Sequence, residues 1–240
     1  MDQTEMLELS REFAGLAAQI AGPGDNQASV QRMIDLAVKT VDGSRFATVS
    51  VLRGRQSQLL CASDQIGEQL EQLQNQLDEG PSLAAVRLDQ DIVVRDLGQD
   101  SRWPRFAELA IRATGVGSVL AFRLAGSRPS VLTFYGGEPA GFTEESTQTA
   151  TIFAAQAGTL VALLAAEDHS ANLETALQSS REIGMALGIL MAHRKVTHEG
   201  AFDLLRSASQ NLHRKLRDVA MEVMETGTLP DPPPKRADLP

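Results

Sequence analysis

Hydrophobic positions recur along this chain with two different periods, and the changes of period mark its elements. Residues 6–21 (MLELSREFAGLAAQIA) space their apolar side chains for an amphipathic helix, closed by Gly22, Pro23 and Gly24. A second helix fits 30–41, with Met33, Ile34, Ala37, Val38 and Val41 on one face. The period then shortens, and 45–53 and 57–63 read as two strands of a hairpin turning at Gly54. The stretch 65–77 is helical in spacing but rich in glutamine, which predicts an exposed cover rather than a core element. Residues 91–95 read as a short strand, 106–114 as a helix, and 116–124 with 130–135 as a second hairpin. That order predicts an antiparallel sheet with its helices grouped on one face.

From Thr143, a capping residue followed by Glu144 and Glu145, the helical period runs to His193 without a proline or a glycine pair. One helix of ~50 residues, ~75 Å long, is expected. Phe153, Leu160, Leu163 and Leu164 form its apolar stripe, which thins over 165–172 and resumes at Leu173 and Leu177. Such a helix cannot bury its stripe alone. Either two copies pair in parallel and splay at the polar patch 167–172, or one helix bends back on the domain before it. Three helical faces follow: Ile183, Ala186, Leu187, Leu190 and Met191; then Ala201, Phe202, Leu205 and Ala208; then Leu212, Leu216, Val219, Ala220 and Val223. The first breaks near Arg194 and Lys195, Thr197 caps the second, Asn211 marks a junction, and Gly227 with Pro230 stops the third. The proline-rich stretch 230–240 reads as an extended, disordered tail.

Composition narrows the class. A chain of 240 residues, 42% hydrophobic and 22% charged, fits one ordinary soluble domain plus a smaller one. It shows no apolar run long enough to cross a membrane and no secretory signal in 1–24, so a cytoplasmic location is expected. The single cysteine, Cys61, excludes an internal disulfide, and its strand setting reads as a small buried hydrophobe. His169, His193, His198 and His213 all follow residue 166, leaving the preceding segment no imidazole for haem or zinc, and no metal or other cofactor is expected. Glycine-rich phosphate loops and nucleophile elbows are missing from the sequence, so an enzyme is not expected. The net charge of −9 repels polyanions at long range. Between residues 181 and 217, however, Arg181, Arg194, Lys195, Arg206, Arg214, Lys215 and Arg217 face only Glu182, Glu199 and Asp203, a local excess of four positive charges.

The pattern REIGMALGILM, followed by AF and LLR within 197–209 and then NLHRKLRDVA, resembles the ANTAR family of RNA-binding antitermination domains. The resemblance implies a three-helix module over 177–229 that pairs with a second copy and grips an RNA of two stem-loops ahead of a terminator. The stabilised hairpins would keep the terminator from forming. RNA binding requires cations on phosphate and side chains able to touch loop bases. The candidates are Arg181, His193, Arg194, Lys195, Arg206, Arg214 and Lys215, with Ser209, Gln210 and Asn211 at the junction of the last two helices. Leu187 stands where the family usually has a lysine, which removes one expected phosphate contact.

Upstream, DEGPSLAAV, IVVRDLGQDSRWPRFAELA, GVGSVL and TFYGGEPAGF resemble the GAF domains that precede ANTAR modules in actinobacterial regulators. The likeness covers 27–166, leaving 1–26 as an N-terminal helix and 167–176 as a helical linker. It implies a central antiparallel sheet whose concave face in many relatives holds a small ligand. Trp103, Phe122, Arg123 and Tyr135 are the candidates to line such a pocket, while Ser82 replaces the cysteine often found after Gly-Pro in this group. The expected fold class is α+β, a GAF-like antiparallel sheet with helices, a long connecting helix and a C-terminal three-helix ANTAR module. The expected function is that of an RNA-binding transcription antitermination regulator, a homodimer whose GAF domain, through a small ligand or an upstream protein, sets the grip of its ANTAR modules. The alternative is a small-molecule or protein-interaction sensor whose C-terminal helices serve chiefly for dimerisation.

Overall fold

The computed structural model describes residues 11, 15, 26–126 and 128–230. The helix expected over 6–21 lies outside them but for two positions, and the expected tail but for Pro230. The chain divides into two compact units, Met1–Ala166 and Glu167–Pro240.

In the first unit two hairpins and a short strand make one antiparallel sheet. The strands are β1 (Ser44–Arg53), β2 (Gln56–Ala62), β3 (Ile92–Val94), β4 (Ser118–Leu124) and β5 (Ser130–Gly136), in the order β2-β1-β5-β4-β3. The expected hairpins, β1–β2 and β4–β5, both form, and β1 pairs with β5 to join them. Helix α1 (Asn26–Thr40) begins four residues before its expected start. Its Val30, Met33, Ile34 and Ala37 pack on one sheet face against Ala47, Val49, Phe122, Leu132 and Phe134. The same face receives Ala150, Phe153, Ala157, Leu160 and Val161 of the long helix α5 (Glu144–Arg194).

Contrary to the expectation of helices on one face, the opposite face is covered too. Phe46, Val119, Ala121, Val131 and Tyr135 meet Leu70 of α2 (Gln65–Leu77), Ala85 and Val86 of α3 (Pro81–Arg87), and Phe106, Ala107 and Ala110 of α4 (Pro104–Thr114). The reason lies in β1, where Ala47, Val49 and Val51 alternate with Thr48 and Ser50. That alternation is the signature of a sheet wet on one side, yet Thr48 and Ser50 are fully buried. Helix α2 is likewise more than a cover, since Leu70, Glu71 and Gln74 are buried.

Local chemistry sets the helix ends on this side. Asp64 accepts from the N–H groups of Ile66 and Gly67 at 2.9 Å each, opening α2. Gly80, at φ 144, leads into Pro81 at the start of α3, a helix the periodicity did not reveal. Glu79 accepts from the Phe106 N–H at 2.8 Å and so ties the α2–α3 connection to the first turn of α4.

Helix α5 has the expected length, 51 residues, and its expected cap, with Thr143 Oγ1 accepting from the Ser146 N–H at 3.1 Å. Contrary to the expectation of no apolar run of that length, it contains a window long and apolar enough to cross a bilayer, half of which is buried. In the second unit Ala186, Leu187 and Leu190 of α5 form a core with Ala201 and Leu205 of α6 (His198–Leu212) and Val219, Ala220 and Val223 of α7 (Leu216–Thr226). Thr197 caps α6, accepting from the Gly200 N–H at 3.3 Å. The α6–α7 junction falls at His213, with φ 53, two residues after Asn211, and Gly227 closes α7 at φ 75.

Candidate nucleic-acid interface and the sheet interior

The cations of the second unit fall into two groups. His193 and Arg194 end α5 and Lys195 follows at φ 53, all three exposed. A side-chain carbon added at Gly227 would lie 3.6 Å from His193 Cε1, so the end of α7 sits beside the end of α5. Helix α7 is 11 residues long, about 16 Å. The α6–α7 junction, with Ser209, Gln210, Asn211, Arg214 and Lys215, therefore lies at the other end of the module. Arg206 stands one turn before Gln210 on α6, and Arg181 lies about 20 Å along α5 from Arg194. The ten candidates thus form no single cluster.

The junction is built by short-range bonds. Ser209 Oγ donates to the Arg214 carbonyl at 2.6 Å, the Arg214 N–H returns a bond to the Ser209 carbonyl at 3.1 Å, and the His213 N–H donates to the Gln210 carbonyl at 3.2 Å. Ser209 is half-buried by this role, while Gln210, Asn211, Arg214 and Lys215 are exposed. Not every cation is free. The Arg214 guanidinium pairs with Glu222, Arg206 pairs with Asp203 at 2.9 Å, and Arg217 lies 3.7 Å from Asp218. Among the described residues Arg181, Arg194, Lys195 and Lys215 have no ion-pair partner. Arg194 and Lys195 also complement the carbonyl end of α5, a structural role that needs no ligand. Leu187 is 4% exposed within the core of the unit, where it packs and offers nothing to a phosphate.

In the first unit the four pocket candidates do not converge. Phe122 faces α1 and α5, edge-on to Phe134 at 6.3 Å between ring centroids. Trp103 and Tyr135 lie on the opposite side of the sheet. Arg102 stacks over the Trp103 ring at 4.3 Å. The Arg123 guanidinium lies 2.9 Å from Asp89, and the Arg123 backbone N–H donates to Asp91 at 2.8 Å. Two open grooves, of about 290 Å³ between α2 and α4 and about 260 Å³ beside β3 and the start of α5, are lined by none of the four.

What occupies the interior beneath α2 and α3 is a buried acid, Glu71, at 2% exposure. Its Oε1 accepts from Thr48 Oγ1 at 2.9 Å, Ser82 Oγ at 2.7 Å and the Tyr135 hydroxyl at 2.9 Å. Oε2 accepts from Ser50 Oγ at 3.0 Å and Ser57 Oγ at 3.4 Å. Gln74 Nε2 donates to Ser82 Oγ at 2.8 Å and to the Tyr135 oxygen at 3.0 Å, and its Oε1 accepts from the Ser82 N–H at 2.8 Å. No cation takes part; hydroxyl and amide donors alone hold the carboxylate in place. Burial first, and the Glu71 charge second, push the Tyr135 phenol well above its ordinary value, so it stays a donor. On the other face Cys61 is buried, and burial with the nearby Asp35 charge pushes its thiol up to about 12.

Residues 26–162 match the GAF domain family, and residues 171–224 match the ANTAR domain family. This chain belongs to the GAF family and carries a C-terminal ANTAR domain. The Glu71 network therefore lies inside the GAF domain, and the two cationic groups lie in the ANTAR domain. No curated protein matches the GAF-ANTAR chain. Among solved structures it is similar to the GAF domain of an Acinetobacter phosphoenolpyruvate-protein phosphotransferase, at 15% identity and a TM-score of 0.51, covering 69% of this chain and 97% of that one. It is also similar to a GAF domain/HD domain protein from Geobacter sulfurreducens, at 17% identity and 0.45, covering 59% and 95%. A type II free methionine-R-sulfoxide reductase from Thermoplasma acidophilum matches at 12% identity and 0.43, covering 57% and 95%. At 15% identity the likeness to the Acinetobacter domain is one of fold. Glu71 was missed because its partners come from five elements. The available signal was the polar residue at every second position of β1, Thr48 and Ser50, with Thr133 in β5.

Proposed function

We propose that the chain is a cytoplasmic RNA-binding regulator of transcription antitermination, in which a GAF domain governs paired ANTAR modules that bind a two-stem-loop RNA. The observation that carries this reading is the exposed, locally basic α6–α7 junction in a chain of net charge −9. Lys215, without an ion-pair partner among the described residues, supplies a phosphate contact. Gln210, Asn211 and Arg214 offer amide and guanidinium groups to unpaired bases. Arg181, Arg206, His193, Arg194 and Lys195 extend the contact over the rest of the module.

Pairing of two copies is supported by α5 itself. Leu173 and Leu177, one turn apart, are 53% and 60% exposed, and helices in proteins are stabilised mainly by packing an apolar face rather than by propensity. A second α5 laid against them would supply the missing apolar contact. GAF and ANTAR domains are typically not enzymes, and no catalytic step is assigned. The test is binding of a two-hairpin leader RNA against a scrambled RNA of equal length, at two or more salt concentrations. Preference for the hairpin pair with a negative salt slope supports the reading. Equal, weak binding of both leaves a sensor whose C-terminal helices serve dimerisation.

A further inference from the structure

On the outer side of α6, the residues one turn apart from its first are His198, Phe202, Arg206 and Gln210, and all four are exposed. Phe202 is 36% exposed and is the one exposed Phe, Tyr or Trp among the described residues. The other described Phe, Tyr and Trp rings go inward: Phe46, Trp103, Phe106, Phe122, Phe134, Tyr135 and Phe153 are buried, and Phe142 is partly buried. A lone exposed apolar residue is ordinary, but the surroundings of this one are not neutral. It lies one turn from a guanidinium and one turn from an imidazole, and the same row ends about 12 Å further on at Gln210, beside the α6–α7 junction. Acids are close as well. Glu199 and Asp203 occupy the neighbouring row, and Asp203 holds Arg206 at 2.9 Å in a pair with both side chains mostly exposed.

We propose that Phe202 is a stacking platform for an unpaired RNA base, with Arg206 turning from Asp203 to the adjoining phosphate. This rests on the RNA-binding reading above and adds a residue to it. Base stacking needs a π-face, which hydroxyls, amides and ammonium groups cannot offer, and among the described residues of the ANTAR domain Phe202 is the one phenyl ring, beside the smaller, more polar imidazoles of His193, His198 and His213. Exposed ion pairs such as Asp203–Arg206 are weak, so a phosphate can compete for the guanidinium.

The test uses the full chain and a two-hairpin RNA selected on it from a pool with randomised loops, with 2-aminopurine placed at each loop position in turn. Phe202→Leu keeps the apolar volume but loses the ring. It is expected to weaken binding by about 5- to 150-fold with the salt slope unchanged, and to abolish the quenching of one loop 2-aminopurine. Phe202→Trp is expected to keep both affinity and quenching. Wild-type affinity and quenching for Phe202→Leu would overturn the inference. So would loss of binding in both variants together with loss of the dimer in sedimentation, which would place Phe202 in a protein contact. If the wild-type chain enriches no RNA, the underlying RNA reading fails with it. If wild type binds, Lys215→Ala weakens binding and Phe202→Leu does not, the platform alone is refuted.

Discussion

Glu71→Ala removes the acceptor shared by three strands and two helices of the GAF domain, and its cost can be worked from the bonds. Ser82, Gln74 and Tyr135 retain one another, since Gln74 already donates to both and the Ser82 and Tyr135 oxygens are 3.2 Å apart. Thr133 keeps Ser82 at 3.0 Å. Thr48 and Ser50 bond to Glu71 and lose their acceptor. Two buried hydroxyls without a partner, at about 1–3 kcal/mol each, cost about 2–6 kcal/mol, to which a small cavity adds. At about 4 kcal/mol, the middle of that range, a domain of this size loses about 8–16 °C in Tm. Glu71→Gln should behave differently. Its amide oxygen can keep the partners of Oε1, and its NH₂ would face Ser50 and Ser57, whose hydroxyls can rotate to accept. Loss of the charge also relieves its desolvation, so a change within about 1 kcal/mol is expected. Calorimetry and urea unfolding of the full chain, read on the GAF transition, give both values. Glu71→Ala as stable as wild type, or Glu71→Gln as damaging as Glu71→Ala, would refute the reasoning.

The Cys61 thiol, at about 12 in the fold against 9.0 ordinarily, keeps its proton in the folded chain while the unfolded chain releases it. Stability present below pH 9 should therefore fall as pH rises towards 12, by up to ~1.4 kcal/mol per pH unit, and Cys61→Ala should flatten that limb. The same thiol should resist a disulfide reagent at pH 8 until denaturant is added, as an absorbance assay would show. Lys215→Ala should reduce the salt slope of RNA binding by about one, whereas Arg214→Ala, which also frees Glu222, should weaken binding without a larger change of slope; equal slopes in Lys215→Ala and wild type would remove Lys215 from the interface. Leu173→Glu with Leu177→Glu should shift the chain from dimer to monomer in sedimentation velocity, while a dimer that persists would place the pairing surface elsewhere.

The sequence alone determined whatever depends on neighbours along the chain. Turn and cap chemistry acts within about four residues, so the Gly54 hairpin, Thr143 and Thr197 as caps, the unbroken α5 and the stop at Gly227 could all be read from local spacing. The motifs REIGMALGILM and NLHRKLRDVA carried the ANTAR likeness for the same reason, being contiguous. Tertiary structure alone decided which surfaces are wet. Thr48 and Ser50 in β1, and Gln74 in the glutamine-rich α2, have the composition of solvent-facing positions, yet they meet on one face of the sheet around Glu71. It also decided that Phe122 and Tyr135 face opposite sides of the sheet, and that Lys195 and Lys215 stand at opposite ends of one small module. A polar side chain looks the same in sequence whether water or a buried carboxylate satisfies it, because its hydrogen-bond partner is chosen in space rather than along the chain.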